Sequence, residues 1–474
     1  MKRTLLLVLV LLGMAANNAF AEYAVESSVC VEISALRDGK VPPNRRMFKI
    51  EQVLTFHEQD AGQDSVRLWL PDPGWASALL SEARNDSDMG FRVWVDGVED
   101  LTYRFDWPEL YIPKHSDTVH RIVLRYDFLD DSPFQYYYKT DFVAFYSTSV
   151  LCSLGSSFFF STKGMHRNDI TVRTNSDDLY FYSTCPMMQT GEREYRLDLS
   201  SNQKDGAINL HFLEKNMYDH CSQDMGKVRY DMFVQKFYTV DHNAGTITEM
   251  HSNPAVAQYE KAVRYAIEGL EDFFQDTIRR TLFINIGEYN WQEGYTYGKA
   301  YHYNSSIYSV VSDSSGTLRD ARVLTHELTH CYMPYDNAKG DSVAYLLFQE
   351  SLVEYVTKQV LYRGNPQALD SAYTWWYNKY VSEKEREVSI ITQRQNKANR
   401  TGVNTSAVTY YKTPYILHQF AKRIGEEYFV ELLKGYFRYV RTEKDNITSL
   451  SDFEHYLKAH GVSDEDWEWL YHAL

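Results

Sequence analysis

Cysteine is scarce in this chain: five among 474 residues, too few for a fold held together by disulfides. Positive charge is also in short supply. Lys and Arg number 49 against 64 Asp and Glu, a formal charge of −15, which argues against a nucleic-acid or anionic-membrane binder. Past the first residues no apolar run reaches transmembrane length, and neither an internal repeat nor a low-complexity tract is present. A composition of 44% hydrophobic and 24% charged residues excludes extensive disorder, and the length suggests two or three domains. What the chain has in excess is aromatic surface: 38 Tyr, 24 Phe and 9 Trp, or 15% of residues.

The first residues predict export. Lys2 and Arg3 precede an apolar run from Leu5 to Leu12, and Ala19-Phe20-Ala21 then places small residues at −3 and −1 of a cleavage site before Glu22. Residues 1–21 are therefore expected to be a signal peptide. No cysteine follows to carry a lipid, so the mature chain is expected to be periplasmic or secreted, with no transmembrane segment. Export permits disulfides. Cys30, Cys152, Cys185 and Cys221 allow three pairings and are expected to form at least one bridge, leaving Cys331 over as a buried helix residue.

The residue pattern changes near position 245. From residue 22 to 245 short alternating runs predict an all-β domain of sandwich type: 48–54, 91–95, 119–124, 208–212 and 230–234, with Asp96-Gly97 as a hairpin signal. After Pro254 the apolar residues Ala255, Tyr259, Ala262, Ala266, Leu270 and Phe273 recur at helical spacing. A strand-like run at 280–286 and an aromatic extended stretch from Tyr295 to Val311 follow. Helices are then expected at about 317–333, 342–362, 366–385, 410–423, 425–440 and 449–460, with a loop through 394–406.

Chemistry concentrates at His326-Glu327-Leu328-Thr329-His330. Two histidines at i and i+4 share a helix face and can reach one ion, while Glu327 projects beside it to take a proton from a water. Ala321, Val323, Leu324 and Leu328 continue this helix, and Asp320 and Arg322 read as solvating its start. A catalytic zinc needs a third protein ligand and an open position. Glu350, on the next helix after breakers Pro334, Asn337 and Gly340, fits that need. Glu354, one turn further, fits the carboxylate that accepts the outer N–H of a ligand histidine. One Zn2+ bound by His326, His330 and Glu350 is the expected cofactor. Cys331 is not expected to join it, because adjacent helix residues point away from each other.

The pentad followed by a helical Glu resembles the gluzincin metallopeptidases. Gln349-Glu350-Ser351-Leu352-Val353-Glu354-Tyr355 is similar to the Asn-Glu-Gly-Phe-Ala-Glu-Tyr segment of the aminopeptidase N and glycyl aminopeptidase families. Tyr410-Tyr411-Lys412-Thr413-Pro414 resembles their Tyr-x-Lys-Gly-Ala segment, and Ile424-Gly425-Glu426-Glu427-Tyr428-Phe429 their Leu-Gly-Glu-Glu-x-Phe run. The resemblance implies a thermolysin-like, mainly α-helical catalytic domain over 246–474. It also implies that Tyr410 stabilises an oxyanion, although Tyr411 is adjacent. Three features depart from the pattern. The spacing from His330 to Glu350 is one residue longer than in aminopeptidase N, Thr413 replaces Gly, and the amine-binding Gly-Ala-Met-Glu-Asn motif is absent. In its region stands Asn290-Trp291-Gln292-Glu293-Gly294, where Glu293 is a candidate for the substrate amine or an ordinary loop acid.

The expected function is an exported zinc-dependent metallopeptidase acting on peptides or proteins, an aminopeptidase with Glu327 as general base. Two alternatives stay open: a gluzincin endopeptidase, or a catalytically weak peptide- or glycan-binding protein on the peptidase fold.

Overall fold

The structure, a computed structural model, describes residues 25–33, 46–56, 64–69, 91–106, 109–114, 119–130, 149–151, 160, 165–174, 179–183, 187–197, 210–215, 218–241, 246–275, 277–287, 299–303, 306–310, 318–333, 336–337, 346–390, 403–444 and 447–474. The chain folds as two compact units, one of residues 1–218 with 238–250, the other of residues 219–237 with 251–474.

The first unit is β-rich. Its largest described sheet has eight strands in the order Met187–Gly191, Glu194–Leu197, Met165–Thr174, Val25–Ile33, Arg46–Phe56, Arg121–Asp130, Arg92–Val95 and Val98–Asp100. Strand Val25–Ile33 runs antiparallel to Arg46–Phe56 and parallel to Met165–Thr174. Alternation decides which side chains go inward: Ile50, Gln52 and Leu54 are buried along one strand. The buried amide of Gln52 is satisfied on both ends, donating to Phe160 O at 2.7 Å and accepting from Phe160 N at 2.9 Å. Asp96 and Gly97 turn the expected hairpin, with φ of 47° and 88°, both in the left-handed region.

Cys30 and Cys221 are free thiols. Cys30 lies opposite Glu51 on one side and Thr171 on the other, so its neighbours in the sheet offer no sulfur. Of the expected bridge only a Cys152–Cys185 pairing is left open, and both residues lie outside the described ones, as does the 1–21 segment.

The second unit carries a five-stranded sheet and the helices. The strand order is Tyr218–Asp224, Val228–Gln235, Arg280–Gly287, Ser306–Val310, Lys299–Tyr303. The run at 230–234, read from sequence with the N-terminal β-region, therefore belongs here, paired in parallel with Arg280–Gly287. Period-2 alternation shows that a segment is a strand but not which sheet it joins. The predicted extended stretch forms a hairpin in which Lys299–Tyr303 is an edge strand, antiparallel to its neighbour, with Tyr301 opposite Tyr308.

We label the helices α1 (Val256–Phe274), α2 (Leu318–His330), α3 (Leu352–Leu361), α4 (Pro366–Tyr380), α5 (Thr413–Ile424) and α6 (Glu426–Glu443). The expected helix over 366–385 is two. It stops at Val381, and Ser382 opens a short Glu383–Glu387 helix through a capping box with Glu385. A helix at Asp464–Ala473, capped by Ser463, was not anticipated. Helix α2 packs against α1, α3 and the edge hairpin, and its Leu324 and Leu328 are buried in the main core with Val353, Val356 and Val360 of α3.

Candidate active site

The i,i+4 spacing of α2 brings His326 and His330 together. Their ring centroids are 4.9 Å apart at 82°, and their Nε2 atoms lie 3.2 Å from each other. The two ring nitrogens thus converge on one point. His326, Glu327 and His330 place ligand-type atoms within 4.8 Å of one another, a group able to hold a metal ion. Glu350 Oε2 approaches from the next helix, 3.4 Å from His326 Nε2 and 3.9 Å from His330 Nε2.

Behind His326 lies Glu354, with a fully buried side chain. Its Oε2 is 3.0 Å from His326 Nδ1, and its Oε1 accepts from Arg322 Nη1 at 2.8 Å and from Lys358 Nζ. Burial would raise the Glu354 pKa, but the charges of Arg322 and Lys358 and the His326 hydrogen bond hold it well below the usual carboxylate range. Sequence reasoning placed Arg322 in solvent at the helix start. It is instead largely enclosed, its guanidinium 5.0 Å from the Trp376 ring centre. Lys358 carries no motif of its own in the sequence. Its i,i+4 spacing from Glu354 was the available signal.

The site draws positive charge. Burial opposes a charged His326, yet hydrogen bonds to Glu350 and Glu354 and the nearby Glu327 outweigh it and push its pKa up to about 9. Glu327 is also buried, which raises its pKa to about 7, with His326 lowering and Glu350 raising it. Two imidazoles and a carboxylate converging within 4 Å form the donor set that suits zinc.

Both segments that face α2 leave the regular α-helix. Glu350 lies in a π turn, Leu347–Ser351, closed by Leu352 N–H to Leu347 O; Tyr410 lies in another, Val408–Lys412, closed by Thr413 N–H to Val408 O. Such turns are rare and occur frequently at functional sites. Of the adjacent tyrosines, Tyr410 packs against His326, ring centroids 5.8 Å apart. Tyr411 turns away to stack on Trp376 and Tyr380. Burial, then the charge of Glu350, pushes the Tyr410 phenol above its ordinary pKa. Past the helix, Cys331 Sγ lies 3.8 Å from Glu327 O, and Tyr332 Oη donates to Glu271 Oε1 at 2.8 Å. Glu293 lies outside the described residues.

Solved structures share the fold that carries this arrangement. An aminopeptidase N family protein from Idiomarina loihiensis superposes with a TM-score of 0.63 at 10% identity, covering 93% of this chain and 75% of that one. The chain has the aminopeptidase N fold. Native leukotriene A4 hydrolase from Saccharomyces cerevisiae matches with a TM-score of 0.51 at 12% identity, over 96% of this chain and 68% of that one. Legionella pneumophila aminopeptidase A, solved with aspartic acid, matches at 0.50 and 13% identity, over 96% of this chain and 50% of that one. By sequence, no family model and no curated protein matches. At such identities the likeness is one of fold, so the chemistry must be argued from this chain's own residues. Among the described residues, no helix is long and apolar enough to cross a membrane.

Proposed function

We propose that the protein is a zinc-dependent metallopeptidase, exported after loss of residues 1–21, and that its main activity is that of an aminopeptidase. The observation that carries the reading is the convergence of His326, His330 and Glu350, with Glu354 placed behind His326. In it His326, His330 and Glu350 hold one Zn2+. When bound, the ion polarises a carbonyl and lowers the pKa of a neighbouring water.

Every other task falls to side chains. Glu354 accepts the Nδ1–H of His326, which leaves the Nε2 lone pair pointing into the site. Glu327, with its pKa raised by burial, takes a proton from the attacking water and passes it to the leaving amine. Tyr410 stays protonated and donates to the carbonyl oxygen as charge builds there. The strand Lys299–Tyr303, at the edge of the sheet among the described residues, is one along which an extended peptide can lie. Glu293 is the carboxylate proposed for the free amine.

The test is a peptide-library digest with and without chelator, read by mass spectrometry, on wild type and Glu327→Gln. We expect chelator-sensitive release of N-terminal residues, and a variant that keeps zinc while losing turnover by about 10²–10⁴-fold. Undiminished hydrolysis by Glu327→Gln would remove the mechanism. The second reading, an endopeptidase, is favoured by the missing Gly-Ala-Met-Glu-Asn motif. Internal cleavage of peptides with blocked N-termini would establish it.

A further inference from the structure

Ser351 and Thr409 join the two π turns. The Ser351 side chain is fully buried, and its hydroxyl donates to the carbonyl of Thr409 at 2.8 Å, across 58 positions of sequence. Ser351 directly follows Glu350, and Thr409 directly precedes Tyr410. The bond thus ties the backbone beside the carboxylate to the backbone beside the phenol.

Local backbone chemistry explains why this carbonyl is available. In a regular helix Thr409 O would accept from the N–H of Thr413, but the π turn commits that group to Val408 O. The π-type partner, five residues on, is Pro414, which has no N–H. Thr409 O therefore has neither regular partner on its own helix, in a buried place where an unmade hydrogen bond is costly. The Ser351 hydroxyl fills the vacancy from the neighbouring helix.

We propose that Ser351 is a positioning residue that sets Tyr410 relative to Glu350 for the reaction; the idea rests on the peptidase reading above. Freed from Ser351, the Thr409 carbonyl loses its partner and the 408–412 turn loses its tie to 347–351, and a displacement of about 1 Å at a reacting group can cost about 10²-fold in rate.

The test uses the full chain with Ser351→Ala and, as a remote comparison, Ser449→Ala, which removes the N-cap of the 450–459 helix. Hydrogen exchange of the zinc-free proteins is followed by mass spectrometry. Ser351→Ala is expected to speed exchange of the Tyr410–Thr413 amides about tenfold or more, and Ser449→Ala to leave them unchanged. Wild-type exchange there in Ser351→Ala overturns the strut, whatever the activity. In peptide hydrolysis Ser351→Ala is expected to lower kcat about 10- to 100-fold with KM nearly unchanged, and to cause no further loss in a Tyr410→Phe background. Undiminished kcat beside an active wild type overturns the positioning role alone. A wild type with no chelator-sensitive hydrolysis sinks the peptidase reading instead, and the exchange result still decides whether the strut exists.

Discussion

Glu354→Gln probes the buried charge cluster most directly, because it changes one oxygen to nitrogen and leaves the volume intact. The carboxylate has a different task on each side. Oε1 faces the Arg322 and Lys358 cations, and Oε2 faces His326 Nδ1. An amide has one acceptor for these two places. If its oxygen stays with the cations, its NH2 meets His326 Nδ1, which must then give up its proton and carry it on Nε2 instead. That tautomer aims N–H into the proposed metal site. If the amide flips, His326 keeps its tautomer but two buried cations meet an NH2. Removing one partner of a buried ion pair costs about 3–5 kcal/mol. Burial already pushes the Lys358 ammonium down, so loss of its proton relieves part of this, and we expect about 3 kcal/mol. For a unit of this size that is a fall in Tm of about 6–12 °C. Zinc affinity should fall by about 10- to 100-fold, the usual consequence of losing a carboxylate behind a ligand histidine. Thermal unfolding of the zinc-free protein measures the first, and competition with a chromophoric chelator the second. Unchanged zinc affinity in a destabilised variant would refute the link through the His326 tautomer. Unchanged stability would refute the claim that the carboxylate holds two buried cations in place.

Two further predictions follow from the same geometry. If Tyr410 is the oxyanion donor proposed above, Tyr410→Phe is expected to lower kcat by about 10²–10³-fold with little change in KM in steady-state peptide hydrolysis, whereas Tyr411→Phe should have little effect because its ring packs on Trp376 and Tyr380. His418 is buried in α5, stacked 4.3 Å from the Tyr373 ring, and burial depresses its pKa despite the hydrogen bond to Asp370. A histidine whose pKa is lower folded than unfolded adds stability above its unfolded pKa, about 6.5, and that stability is lost as pH falls toward the folded value. Tm should therefore drop below about pH 6.5, and His418→Phe should flatten this part of the profile; an equally steep profile in the variant would assign the loss to other groups.

The site was legible where chemistry repeats at helical spacing. His326, Glu327 and His330 announce themselves because an i,i+4 pair must share a face, and Glu350 and Glu354 follow because the next helix repeats the spacing. Charge partners were not legible. Arg322 reads as a solvated residue at a helix start, since one sequence does not say which face a neighbouring helix covers. Only the packing of α2 against α3 turns it inward onto Glu354. Strand membership failed for a related reason: 230–234 alternates like the strands before it, but its partner Arg280–Gly287 lies on the far side of α1 in sequence. The break at Val381 and the cap at Ser463 had local signals, in Ser382 with Glu385 and in Ser463 with Asp466, that apolar periodicity alone overlooks.

The π turn at Leu347–Ser351 bears on how Glu350 meets the two histidines. In a regular α-helix each side chain is set about 100° from the last. A π turn takes up one more residue per turn, and such a turn contains Glu350 here. Glu350 then reaches within 4 Å of both histidine Nε2 atoms while Glu354, a turn later, keeps its bond to His326 Nδ1. The Ser351–Thr409 bond then ties this turn to the one that carries Tyr410, so the carboxylate and the phenol are set by one connected piece of backbone.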